Sequence, residues 1–323
     1  MKKTLAVTLI ITLFIVVIGR TAPKKAATAD LQPMVTSAAK EESALSSVPS
    51  ALPVGNPSEK LGEVVRKQIS PYTANSNFGE IYLSDKTSKE VDIKAELTSD
   101  FTLKLSDTDK PQVLIMHTHA TESYMEEKRD YYTKDDRTHS DDIEQNVVKI
   151  GEILAKTLEK NGISVLHDTT LYDGDSYSGS YERSGRGVEK ALKENPTIKV
   201  VLDIHRDSIS IGETGQIAPI CEVAGKNAAQ IMLVMGCNDG SITTHENWRQ
   251  NLRLALRFQQ AAELKYEGFA RAISLVPRQY NQNLTTGSML IEVGSQANTF
   301  DEAIYAAELT GDLLARVLKM RGE

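Results

Sequence analysis

From Pro111 onward, short apolar runs alternate with longer amphipathic ones. QVLIMH (112–117) reads as a strand. NVVKIGEILAKTLEKNG (146–162) reads as a helix, because Val147, Val148, Ile150, Leu154 and Leu158 return at helical spacing and Asn161-Gly162 supplies a C-cap. A polar, acidic, tyrosine-rich loop at about 121–142 separates the two. A strand over ISVLHD (163–168) and a Gly/Ser/Tyr loop follow, then a helix at about 181–194 and a strand at 199–205. Beyond a pair of strand-like segments, ICEVAG and IMLVMGCN, the pattern predicts a helix at about 247–264, strands at 271–276 and 288–293, and a closing helix at about 299–320. Such alternation implies an α/β fold with an open, mostly parallel sheet and helices on both faces.

The first hundred residues are different. Lys2 and Lys3 precede an apolar run from Thr4 to Gly19, and Arg20, Lys24 and Lys25 follow it. As a helix the run would span about 24 Å at the usual rise, a little short of the roughly 30 Å bilayer core. The small residues Ala27-Thr28-Ala29 could form a cleavage site, but two lysines separate them from the apolar run, which favours an uncleaved signal-anchor over 1–20. Either way the remainder of the chain is exported; the uncleaved anchor makes it a single-pass membrane protein with its main domain outside the cytoplasm. Residues 21–60, rich in Ala, Ser, Pro and Lys with no hydrophobic period, read as a disordered stalk. Residues 61–108 read as a small lead-in segment packed on the main domain at 109–323.

At 323 residues the chain is long enough for one sizeable domain plus these extras, and its net charge of −7 argues against a nucleic-acid binder. Its two cysteines, Cys221 and Cys237, exclude a disulfide framework. A turn around Lys226-Asn227 would let them face each other across a hairpin and bond. Two buried free thiols are the alternative.

The chemistry gathers at strand ends, where open α/β sheets place their sites. HTHATESY ends the first strand with His117 and His119, and Glu122 is the nearest acid. VVLDIHRDS ends another with Asp203 and His205. Residues two apart on an extended segment point the same way, so a metal could take one or both of His117 and His119. Imidazoles and a carboxylate are the donors of a mononuclear zinc site. Glu144, at the start of the first long helix, is a second candidate ligand, although an acid there also suits a helix N-terminus. Glu292 sits inside the apolar strand MLIEVGS, where a carboxylate is costly unless paired or functional; it reads as a general base. Arg206 could clamp a substrate carboxylate, with Asp207 holding it.

Together HTHATESY, NVVKIG, IHRDS and YNQNLTTGSMLIEVGSQANT resemble the stage II sporulation protein P family, membrane-anchored peptidoglycan hydrolases of engulfment in endospore formers. More distantly, the strand-end histidines and LIEVGS are similar to the zinc-dependent N-acetylmuramoyl-L-alanine amidases. The resemblance implies zinc on His119, His205 and a glutamate, with Glu292 as the catalytic glutamate. The sporulation family's TESY motif suggests Glu122 as the third ligand, and the amidase pattern suggests Glu144; Glu122 is preferred. The amidases' GHGG loop is missing here. The resemblance also implies amidase cleavage of the muramic acid–L-alanine bond, endopeptidase cleavage of cross-links, and work with stage II sporulation proteins D and M. The rival readings are a non-catalytic wall-binding scaffold and a zinc peptidase that cuts only peptide bonds.

Overall fold

A computed structural model describes residues 59–106 and 108–320. The expected anchor at 1–20 lies outside the described residues, as does the stalk at 21–60 except for Glu59 and Lys60. Among the described residues no helix is long and apolar enough to cross a membrane.

The lead-in supplies β1 (Lys60–Lys67), β2 (Ser76–Phe78), β3 (Ile81–Asp85) and the short α1 (Ile93–Thr98). The expected alternation then runs through β4 (Val113–Met116), β5 (Tyr131–Thr133), α2 (Val147–Lys160), β6 (Val165–His167), α3 (Ser180–Glu194) and β7 (Val200–Asp207). Next come β8 (Ser210–Ile211), β9 (Gly215–Val223), β10 (Lys226–Ala229) and β11 (Ile231–Gly236). α4 (Trp248–Lys265), β12 (Ile273–Val276), β13 (Ser288–Ser295) and α5 (Phe300–Lys319) complete the chain.

Eight strands form the main sheet, in the order β2-β3-β12-β11-β13-β7-β4-β6. All neighbours are parallel except β2–β3 and β11–β13. This is the mostly parallel α/β sheet that the sequence pattern predicts. A second sheet, in the order β10-β9-β1-β5 with β8 on β9, is not legible in that pattern. The lead-in enters both: β1 lies parallel to β9, and β3 lies parallel to β12 in the main sheet.

Alternation along the strands divides the core between two faces. Val113 and Ile115 of β4, with Val200, Leu202 and Ile204 of β7, join the large cluster under α2, α4 and α5. Leu114, Met116 and Val201 face the other way and pack with Val188 of α3. Helices therefore cover both faces. α2 begins where the Asn146 side chain accepts the Val148 N–H at 2.9 Å and ends at Asn161 and the left-handed Gly162 (φ +73°).

The cysteines are not partners. The strand returning from Cys221 is β10, which sets Ala228 opposite it, and the chain then leaves at Gln230 for the main sheet. The buried Gln230 amide fixes that crossover by donating to the carbonyls of Gly268 (2.7 Å) and Ile69 (3.1 Å). Cys237 lies just past the end of β11, a strand of the main sheet, and both thiols are free and buried. The disulfide alternative is thereby removed.

Candidate active site

On β7 the α3-facing positions are 201, 203, 205 and 207. After Val201 the apolar face gives way to Asp203, His205 and Asp207, at the strand's C-terminal end. β13 does the same one strand over. Met289, Ile291 and Val293 enter the large core, leaving Glu292 on the α3 side, level with His205 in the parallel register.

His205 is buried between two carboxylates. Its Nε2 lies 2.8 Å from Asp203 Oδ1, at an angle that leaves the nitrogen without a true hydrogen bond, and its Nδ1 lies 3.4 Å from Glu122 Oε2. Burial works to lower its pKa, but these two carboxylates outweigh burial and hold it well above the ordinary imidazole value. Burial likewise opposes ionisation of Asp203 and Glu122, yet both are held below the usual carboxylate range, mainly by His205.

His119 reaches the same place from the turn after β4. Its ring lies edge-on to His205, with centroids 5.4 Å apart, and stacks on Tyr177 at 4.2 Å. Its Nδ1 is 3.4 Å from Ser180 Oγ and 4.0 Å from Asp173 Oδ2. Asp173 also anchors the turn, accepting from Thr121 Oγ1 at 2.7 Å. Burial and the neighbouring His205 lower His119, which keeps it neutral and able to ligate.

Glu292 has a buried Oε2 with no hydrogen-bond partner. Burial pushes its pKa up to about 8; Glu122 and Asp207 add to the rise, while His205 and Arg271 oppose it.

The structure thus brings together His119, Glu122, His205 and Glu292, and it separates three other candidates from them. His117 is not beside His119, because β4 ends at Met116 and the chain turns there. Its ring continues the opposite face toward α2. There Nδ1 meets the Ile204 carbonyl at 3.1 Å, Nε2 meets His167 Nε2 at 2.9 Å, and burial drives its pKa down to about 3. Glu144 is exposed and pairs with Lys149 at 2.7 Å. Arg206 alternates to the face opposite His205. It is buried, with Nε donating to the Ser123 carbonyl (3.2 Å) and Nη2 to that of Thr138 (2.8 Å). It fastens the 121–142 loop and is not free to clamp a substrate. Asp207 pairs instead with Arg271, at 2.7 Å.

Sequence reasoning passed over Asp173, Tyr177, Tyr181 and Tyr280. The signal available for the first three was the tyrosine-rich stretch TLYDGDSYSGSY, whose spacing has no helical or strand period; Tyr280 stands in YNQN. A cavity of about 650 Å³ lined by Tyr124, Arg129, Tyr131 and Phe300 includes none of His119, His205 and Glu292.

A profile of the family described as stage II sporulation protein P matches residues 23–319. The chain belongs to that family. It is 29% identical over 220 residues to the stage II sporulation protein P of Bacillus subtilis (strain 168), which covers 65% of this chain and 51% of that protein. It therefore spans about half the length of this curated relative. Among solved structures it is similar to the CwlD amidase of Clostridioides difficile in complex with the GerS lipoprotein, at 14% identity and a TM-score of 0.38, covering 64% of this chain and 94% of that one. It is also similar to the N-acetylmuramoyl-L-alanine amidase AmiC2 of Nostoc punctiforme, at 12% identity and a TM-score of 0.35, covering 66% and 97%.

As the side chains stand, no three His, Cys, Asp or Glu among the described residues converge closely enough to hold a metal ion. In kind, however, the donors fit zinc: two imidazoles and a carboxylate. The carboxylates crowded around His205, Glu122 on its Nδ1 side and Asp203 on its Nε2 side, suit a divalent cation that would displace the proton held there.

Proposed function

We propose that this chain is a zinc-dependent peptidoglycan hydrolase that cleaves the N-acetylmuramoyl-L-alanine amide and also acts on peptide cross-links, in septal wall remodelling during engulfment. The observation that carries the reading is Glu292 in register with His205, its Oε2 buried and unpartnered, with His119 and Glu122 against the same imidazole. Family membership supports the cell-wall substrate. In this reading the chain is held at the membrane by the apolar run of residues 1–20 on the stalk of residues 21–60, and it works alongside stage II sporulation proteins D and M.

His119, Glu122 and His205 would hold the metal, which when bound supplies a Lewis acid for the scissile carbonyl. Glu292 takes a proton from the attacking water and delivers it to the leaving amine, so water is added across the C–N bond. Burial raises its pKa in the metal-free protein, which suits a carboxyl that must both accept and return that proton. Asp203 contacts His205 Nε2 from behind, and Asp173 holds the turn that carries His119 through its bond from Thr121.

The test is digestion of purified cell wall by the intact chain, with analysis of the released fragments. Free stem peptides with intact glycan mean amidase cleavage. Cross-linked dimers that fall to monomers with no free stems would restrict the reading to a peptidase, and no fragments from the zinc-loaded protein would replace it with a non-catalytic wall binder.

A further inference from the structure

The motif YNQN, before β13, lies outside the chemistry assigned above, yet its backbone is the most strained near the site. Tyr280 (φ +49°) and Asn281 (φ +56°) are consecutive non-glycine residues in the left-handed region. Such residues are strained and persist only where surrounding contacts hold them. Here the Asn281 side chain supplies them: Nδ2 donates to the Tyr181 carbonyl at 2.9 Å and to Ser184 Oγ at 3.1 Å.

From Ser184 a chain of hydrogen bonds runs inward. Ser184 Oγ is 2.9 Å from Thr118 Oγ1, and Thr118 Oγ1 donates to Asp203 Oδ2 at 2.7 Å. Thr118 spends its single hydroxyl proton on the carboxylate, so Ser184, 2.9 Å from Thr118 Oγ1 against 3.3 Å from the Tyr181 carbonyl, is the donor to Thr118 and the acceptor from Asn281. Every bond therefore points the same way, toward a carboxylate in contact with His205 Nε2. The Thr118 N–H adds a second donor to Asp203, at 2.8 Å. Thr118, Ser184, Asp203 and His205 are all buried, where water cannot substitute for a missing partner. The same turn touches the site by a second path: the Tyr280 ring lies 5.5 Å from that of Tyr181, which lies 6.5 Å from His205 and nearly parallel to it.

We propose that Asn281 and Ser184 are positioning residues for His205, acting through Thr118 and Asp203. The directed chain fixes the Asp203 carboxylate, and that carboxylate, in charge contact with Nε2 at 2.8 Å, sets the orientation in which the imidazole is presented. The strained turn is the outer end of the chain, so the YNQN motif and the histidine ligand form one mechanical unit. This inference rests on the proposed zinc site only in its functional consequence.

The experiment compares the wild-type intact chain with Ser184→Ala, Asn281→Gly, Thr118→Val and Thr118→Ser. Asn281→Gly keeps the left-handed backbone that glycine adopts freely while removing the amide, so it separates loss of the bond from misfolding. The first readout is the imidazole ¹⁵N resonances of His205 in the metal-free protein, assigned by their loss in His205→Ala. The second is zinc affinity by chelator competition, and the third is kcat against KM on purified wall. Ser184→Ala, Asn281→Gly and Thr118→Val are expected to shift the His205 resonances and weaken zinc about 10-fold, as loss of partners behind a ligand does. kcat should fall with KM unchanged, and Thr118→Ser should behave as wild type. Unmoved resonances in Ser184→Ala and Asn281→Gly, with only a lower melting temperature, would overturn the proposal. A wild-type chain that takes up no zinc would refute the metal reading alone, since the resonance comparison is made without metal.

Discussion

Glu292 and His205 stand directly opposite each other on the parallel strands β13 and β7, both on the face that α3 covers. An apolar pair at this position would be ordinary sheet packing. A carboxyl with a buried, unpartnered oxygen beside an imidazole flanked by two more carboxylates is instead a concentration of charge that the fold must hold in place. Asp203 and Glu122 supply the counter-charges to His205, and Glu292 remains the odd member, free to exchange a proton.

Glu292→Gln is therefore expected to reduce wall hydrolysis by about 10²- to 10⁴-fold, the usual contribution of a positioned acid–base, with zinc content unchanged. Fragment release and metal analysis on the same preparation check it. Full activity in this variant would remove Glu292 from the reaction.

The same substitution changes the pH dependence of stability. Glu292 is raised to about 8, so in the metal-free protein its contribution is complete below the ordinary carboxylate range and is lost as pH rises toward about 8. His205 is also raised, and it acts in the same sense, losing its contribution as pH climbs through its elevated value. Between pH 5 and 8.5 the metal-free wild type should lose more melting temperature than Glu292→Gln, whose amide cannot ionise. Parallel curves for the two proteins would contradict the assignment.

Glu122→Gln and Glu144→Gln should separate cleanly. Glu122 lies against His205 Nδ1, so its loss is expected to abolish or strongly weaken zinc binding. Glu144 is exposed on Lys149, so its loss should leave metal and activity within error. Chelator competition on both variants reads the difference.

Arg206→Lys keeps the charge and loses the planar fork that reaches two loop carbonyls. The expected result is faster amide hydrogen exchange through residues 121–142 and a stability loss of about 1–3 kcal/mol from the unmet buried acceptors. A residue that clamped substrate would instead show a raised KM with unchanged exchange.

Gly151→Ala tests the buried histidine pair. A Cβ there would sit 2.5 Å from His117 Cε1 and 2.9 Å from His167 Nε2, both on rings packed against α2. Overpacking of this kind costs typically 1–3 kcal/mol, and thermal unfolding should show it while zinc affinity is retained.

The strand and helix alternation was legible in the sequence because it is a local property. Apolar spacing of two or of 3.6 residues states which face of an element is buried, whatever lies across from it. That sufficed for the parallel α/β sheet, for α2 with its Asn161-Gly162 end, and for marking the ends of β7 and β13 as places where an apolar face turns ionisable. Period two cannot be carried past the end of a strand, which is why His117 and His119 look equivalent in the sequence. The turn at 117–121 sends one ring under α2 and the other toward His205.

What the sequence by itself determined is the order of elements and the ionisable residues at the ends of β4, β7 and β13. Only the tertiary structure decided which of those residues meet. Glu122 rather than Glu144 lies beside His205; Arg206 faces the loop; one cysteine lies in the second sheet and the other at the end of a main-sheet strand; the strained turn at Tyr280 and Asn281 connects to Asp203 through Ser184 and Thr118. Each of these depends on contacts between residues far apart in the chain. Their positions follow from how loops close over the sheet and from which buried polar groups find partners there, and no local spacing encodes that choice.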